Sequence, residues 1–295
     1  MGKEYLIKEE TLKGIADAIR EKGSTTGSIK VGNMVESIKN IFIGEEVFND
    51  GYYGLPYTKR TEISLNVSAT FPSGLYKDSV HMETVDIPNL TSSIPGNMFE
   101  GCTALESANI QKAALANYVF SGCTSLVNVN APLSTVTGYG CFYKCSSLES
   151  VSLPNAKTVE EVSFCGCTKL KKLNFPNVIK MTGTTYHFKD CISLEEINLP
   201  LCENVGQCSF YNCKSLKKIN IPNAKTFSQL AFYGCSSLLE FKFGVLPTSI
   251  SNNCFSNCSN LADIYVPWAE DEVTNAPWGA SNATIHYNWK AESEE

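Results

Sequence analysis

The phrase Phe-x-x-Cys recurs through the chain at a nearly constant step, and that recurrence restricts the fold more than any other feature. It stands at Phe99/Cys102, Phe120/Cys123, Phe142/Cys145, Phe164/Cys167, Phe188/Cys191, Phe210/Cys213, Phe232/Cys235 and Phe255/Cys258. Successive copies are 21, 22, 22, 24, 22, 22 and 23 residues apart. A leucine follows each cysteine by three positions, from Leu105 to Leu261. Then comes an apolar pair with period two, as at Val151/Leu153, Leu173/Phe175 and Ile219/Ile221, and a proline usually closes the phrase. Period two marks a short strand with one buried face, and proline ends it because it cannot donate to a ladder. A further apolar position at Val159, Val205 and Phe227 marks a second short strand or turn on the return side. No single copy can bury its apolar face, whereas stacked copies bury a continuous column. The expectation is a mainly β solenoid of short parallel strands, about eight to nine rungs of 21–24 residues.

The pattern F-x-x-C-x-x-L-x-x-[VIL]-x-[LIVF]-P resembles the BspA-like leucine-rich repeat family across residues 82–267, with Met82, Val85, Ile87 and Pro88 as a partial ninth copy. Departures are local. Gly244 and Gln111 stand where other copies carry the closing proline, and the copy around His187 holds two extra residues. On its own, this resemblance implies a bacterial cell-surface adhesion protein.

The ends break the repeat. In residues 1–41 Thr11 can cap a helix whose apolar face is Leu12, Ile15, Ala16 and Ile19, and Gly23 can end it. Met34, Val35, Ile38 and Ile41 suggest a second helix, so 1–41 is expected to be a helical hairpin and a possible docking segment. The stretch TLKGIADAIREKGSTTGSIKVGNMVESIKNI resembles the N-terminal segment of tail-associated proteins of phages and prophages of Gram-positive bacteria. Residues 42–80 are expected as a non-repeat cap, 81–267 as the solenoid, and 268–295 as a C-terminal cap with an acidic tail. The closing phrase with Trp268, Trp278 and Trp289 also resembles repeat proteins of such prophages; these tryptophans can cap the last rung or stack on sugars.

Thirteen cysteines invite three readings: a buried thiol ladder, zinc ligands, or disulfides. Their recurrence follows the coil period rather than the paired clusters of a zinc site, so core thiols are expected and no metal or other cofactor. The net charge of −6 without a basic block argues against nucleic acid. No apolar run approaches membrane-spanning length, and MGKEYLIKEET lacks an apolar signal core, so synthesis in the cytoplasm without membrane insertion is expected. His81, His187 and His286 lie far apart in sequence, and no phosphate loop, H-E-x-x-H or G-x-S-x-G motif is present, so no enzyme is expected.

What remains is a surface. Beside the repeat leucines, Glu149, Lys171/Lys172, Glu195/Glu196, Lys217/Lys218 and Glu240 alternate in sign rung by rung. Two positions on runs a row of Asn109, Asn130, Ser152, Asn174, Asn198, Asn220, Lys242 and Tyr265. Both rows can be register devices, through opposite charges on neighbouring strands and a self-bonded amide stack. Both can also form a recognition face, whose candidate residues are Asn130, Ser152, Asn174, Asn198, Asn220, Lys172, Glu196 and Lys218. The expected role is non-enzymatic. The solenoid would bind a host or bacterial surface protein or glycan, and the hairpin other tail proteins, in a virion-associated or extracellular setting; surface adhesion is the alternative.

Overall fold

The computed structural model describes residues 73–290, apart from 89–92 and 112–113, together with the strands Val47–Asn49, Pro56–Thr58 and Glu62–Ser64. The helical hairpin expected over 1–41 lies outside the described residues. The chain divides into two units, Met1–Arg60 and Thr61–Glu295. In the first, Val47–Asn49 pairs antiparallel with Pro56–Thr58.

The second unit is a parallel solenoid. Three-residue strands stack from Glu62–Ser64 to Thr284–His286 in three consecutive sheets. The sheets meet between Ser150–Ser152 and Lys172–Asn174, and between Lys218–Asn220 and Glu240–Lys242. Register is always one whole repeat, so Leu173 pairs with Ile197 and Ile197 with Ile219. The stack therefore takes in Glu62–Ser64, inside the segment 42–80, and Thr284–His286, beyond 267. On the return side, two-residue strands such as Val136–Thr137, Thr158–Val159 and Lys180–Met181 make a second parallel ladder. They bury the apolar position that follows the proline: Val159, Val205 and Phe227 are at most 2% exposed.

The Phe-x-x-Cys turns make a third column. Tyr76 and the eight phenylalanines place one ring per turn for nine turns, with adjacent ring centroids 5.1–5.7 Å apart and planes nearly parallel. This spacing suits offset stacking, worth about 0.5–1.5 kcal/mol per pair beyond area burial. The repeat leucines from Leu105 to Leu261 are fully buried beside the rings. Main-chain bonds in the turns also run from rung to rung: Phe142 N–H donates to Ser163 O at 2.8 Å and Phe210 N–H to Ala231 O at 2.7 Å.

The cysteines are more than filler. Each repeat thiol donates to the carbonyl of the phenylalanine one turn earlier: Cys123 Sγ to Phe99 O at 3.0 Å, Cys167 Sγ to Phe142 O at 3.1 Å, Cys213 Sγ to Phe188 O at 3.1 Å. In the first turn the acceptor is Tyr76 O, reached by Cys102 Sγ at 3.0 Å. The same carbonyl accepts the N–H of its own turn's cysteine, as Phe142 O does from Cys145 at 3.1 Å. A small side chain that packs like a methyl group yet offers a proton is required here, and cysteine meets both demands. All thirteen thiols are free, and all but Cys165 are buried. The row of prolines is held similarly: Asn155, Asn177 and Asn223 each donate Nδ2–H to the proline carbonyl one rung earlier, at 2.7–2.9 Å.

Burial pushes Cys102 up to about 12 and Cys145, Cys167 and Cys191 well above the ordinary value. Above the ordinary thiol value near 8.5 the unfolded chain sheds protons that the folded chain keeps, so stability must fall as pH rises, by about 1.4 kcal/mol per pH unit for each such thiol. Urea unfolding followed from pH 7 to 10.5 should show a plateau up to about pH 8.5 and then a steep loss; stability unchanged at pH 10 would contradict this account. A thiol reagent on native protein should label Cys165 first, the others only on unfolding. Leu170→Ala, at a fully buried site, should cost about 2–5 kcal/mol in the same assay.

Candidate functional site

The three-residue strands turn their middle side chain inward and their first and last outward, as in Lys172–Asn174, with Leu173 buried between two exposed residues. Whole-repeat register then sets Lys172 beside Glu196 and Glu196 beside Lys218, and aligns Asn174, Asn198 and Asn220. Lys172 Nζ lies 3.2 Å from Glu196 Oε2, and Lys217 Nζ 3.1 Å from Glu195 Oε2. The Lys217 ammonium holds the Glu195 carboxyl below the usual range. These exposed pairs are individually weak; their order matters more. The alternation stops at Glu240, whose register partner is Asp263. Each acid there finds another partner: Lys242 Nζ at 2.8 Å from Glu240, and His286 Nε2 hydrogen-bonded to Asp263 at 2.7 Å.

The amides bond along the stack. Asn130 donates to Asn109 at 3.0 Å and Asn109 to Asp86 at 2.8 Å; after Ser152, Asn198 donates to Asn174 at 2.8 Å and Asn220 to Asn198 at 2.7 Å. An amide has two N–H groups and two lone pairs, and the ladder uses one of each. One donor and one acceptor per rung remain for a ligand.

Lys172, Asn174, Glu196, Asn198, Lys218 and Asn220 line one open groove of about 1050 Å³, joined by Val151, Glu240 and Lys242. Ser152 and Asn130 sit on the same run of strands, one and two rungs earlier, outside that lining. The sequence names Trp289 as a capping or sugar-stacking tryptophan and His286 only as one of three scattered histidines; their meeting at Tyr265 is what the structure adds. His286 stacks on Tyr265 with centroids 4.5 Å apart, and Trp289 leans on Tyr265 at 5.6 Å. The available signal was spacing: His286 follows Tyr265 by 21 residues, one repeat step.

A second polar groove, of about 590 Å³, runs along the return ladder past Asn204, Gln207, Thr226 and Gln229. The two extra residues near His187 make a buried polar knot. His187 Nε2–H donates to Thr182 O at 2.7 Å, and Nδ1 faces Ser209 Oγ at 3.1 Å. The pair has the distances of a nucleophile and its base, but both residues are 0% exposed, so no substrate reaches it. Among the described residues no cluster of three His, Cys, Asp or Glu side chains is placed to hold a metal ion, and no helix is long and apolar enough to cross a membrane.

The BspA type Leucine rich repeat region matches residues 28–127, 94–202 and 182–276, in 6 copies. The chain belongs to the BspA-type leucine-rich repeat family. No curated protein matches its sequence. Among solved structures it is similar to a T. pallidum leucine rich repeat protein, at 22% identity over 61% of this chain and 79% of that one, with a TM-score of 0.48. It is also similar to a leucine-rich repeat protein from Bacteroides ovatus, at 15% identity over 70% of each chain with a TM-score of 0.38. A leucine rich cell surface protein from Faecalibacterium prausnitzii matches at 18% identity over 78% of this chain and 88% of that one, with a TM-score of 0.35. At these identities the likeness is one of fold alone. In this BspA-type repeat the inward positions serve the stack, and the outward strand positions form its exposed face.

Burial holds the His187 imidazole below its ordinary value. The unfolded chain therefore binds a proton that the folded chain refuses, and stability must fall as pH drops below about 6.5, by up to about 1.4 kcal/mol per unit. Comparing His187→Gln with wild type between pH 7.5 and 5, the variant should be less stable at neutral pH and lose stability less steeply toward acid. Parallel curves would mean that His187 does not carry this dependence.

Proposed function

We propose that this BspA-type chain is a non-enzymatic recognition module that holds a protein or glycan of a host or bacterial surface against the strand face. The observation that carries the reading is the groove along Lys172–Asn174, Glu196–Asn198 and Lys218–Asn220, where each rung presents a charged residue and an amide with spare hydrogen-bonding capacity. Repeat stacks commonly use such extended faces for partners. Nothing about the face favours chemistry: its acids are paired with cations along the strands. Family membership supports a binding or adhesion role at a cell surface. The phage-like phrase within residues 11–41 supports a second assignment, in which the same face serves a phage or prophage tail and the N-terminal segment docks to other tail proteins. Both assignments use the groove in the same way.

Reversing Lys217 and Lys218 to Glu places like charges beside Glu195/Glu196 and Glu240. The variant should remain folded but lose on the order of 1–3 kcal/mol at low salt, and the deficit should shrink as salt screens the repulsion. Labelled full chain should attach to Gram-positive bacterial cells or to host epithelial cells, and the folded variant should attach far less. Equal attachment by variant and wild type at physiological salt would remove the groove from the recognition role.

A further inference from the structure

We propose that the C-terminal end of the strand face is a subsite for a neutral glycan, with Trp289 and the Tyr265–His286 stack as its platform. The proposal rests on the recognition reading above and names its ligand class. The amide row does not simply stop at Asn220. Its next positions are Lys242, Tyr265 and His286, and the last two carry parallel rings 4.5 Å apart. Trp289 adds a third ring at 54° to Tyr265, so the polar row ends in an aromatic corner.

Burial separates this corner from ordinary capping. Trp268 and Trp278 are 4% and 1% exposed and press edge-on against Phe243, sealing the last turns. Trp289, Tyr265 and His286 are only half-buried. Trp289 also lines a recess of about 350 Å³ with Asn288 and Lys290. The Lys242 ammonium lies over the Tyr265 and Trp289 rings, 5.4 and 5.9 Å from their centres, so the surface offered to a sugar is the part of Trp289 beside Asn288 and Lys290, where a C–H face can lie on the ring while the hydroxyls find donors and acceptors.

Charge decides the class of sugar. Glu240 is paired with Lys242, and Asp263 is hydrogen-bonded to His286 Nε2 at 2.7 Å, so neither carboxylate at the corner stands free to draw a cationic ligand. The outward positions of the groove leading to the corner are Lys, Glu and Asn, with Val151, Leu173, Ile197 and Ile219 along its floor, and polar groups over an apolar floor suit the hydroxyls and C–H faces of a sugar chain. Rungs about 4.8 Å apart, with a spare amide donor and acceptor at each of Asn174, Asn198 and Asn220, offer regularly spaced partners to the hydroxyls of a sugar chain.

The test uses the full chain. Cells that bind it are treated with periodate, which cleaves vicinal diols of sugars, or with protease. In parallel, cellohexaose, chitohexaose, laminarihexaose and a linear mannohexaose are titrated by calorimetry and tryptophan emission. Attachment should vanish after periodate and survive protease, and at least one hexaose should bind with a change in emission. Trp289→Ala and Tyr265→Ala should weaken that binding roughly tenfold, with Trp289→Phe intermediate and all three melting as cooperatively as wild type. If protease abolishes attachment and periodate does not, if no hexaose binds, or if Trp289→Ala binds as wild type does, the proposal is overturned. Loss of attachment on reversing Lys217 and Lys218 would still uphold the recognition reading in those cases.

Discussion

The structure depends on keeping each turn in phase with the next, and the thiol-to-carbonyl bond between successive Phe-x-x-Cys turns does this at the most crowded point of the coil. A buried carbonyl has two lone pairs, and leaving either unmet in a dry interior is costly. Phe142 O takes one hydrogen bond from Cys145 N–H and one from the Cys167 thiol. Alanine would fill less space and give no proton. Serine would give a proton but bring a more polar group into a column of phenyl rings. With that bond and the ring stack in place, an offset of one residue between turns would break contacts along the whole column, so the short strands need little pairing energy of their own to stay aligned.

Much of this was legible in the sequence because the stack forces chemistry to recur at a fixed step. The phenylalanine, cysteine, leucine and proline positions announced the coil, and the apolar pair announced which strand residues point inward. Three features lay beyond that reading. The thiol's role as a donor cannot be seen from periodicity, since a buried cysteine used as a small hydrophobe leaves the same mark. The turns also put positive backbone angles two residues after each phenylalanine: Gly122, Lys144, Gly166, Asp190, Asn212 and Asn257 all have φ between 58° and 80°. Gly, Asn and Asp, the residues that tolerate this region, fill most of those positions. The first and last strands of the stack, Glu62–Ser64 and Thr284–His286, lack the Phe-x-x-Cys phrase; the last leaves only its 21-residue step from Tyr265 in the sequence, and spatial pairing reveals both.

The candidate face was legible in part, and for a physical reason. Exposed residues are not fixed by packing, so their pattern records only what the stack asks of its surface. The alternating charges and the amide row are visible because each rung must accommodate the next. Six of the eight residues read as a face line one groove. Asn130 lies rungs away and bonds to Asn109 instead. The aromatic corner was hidden because its members come from different parts of the closing segment: Tyr265 and His286 from paired strands, and Trp289 from the chain that crosses back to Val266 with a 2.9 Å main-chain bond.

The alternation of charge carries a consequence for how such a gene can change length. Repeats of nearly equal size invite duplication and loss of whole units, and the buried columns would accept either. The surface would register the difference. Removing the single turn that carries Glu195 and Glu196 would bring Lys171/Lys172 directly beside Lys217/Lys218, whereas removing that turn together with a neighbour restores opposite signs. Within this stretch the solenoid has a parity: a change of two repeats leaves its surface charges in register, and a change of one sets like beside like.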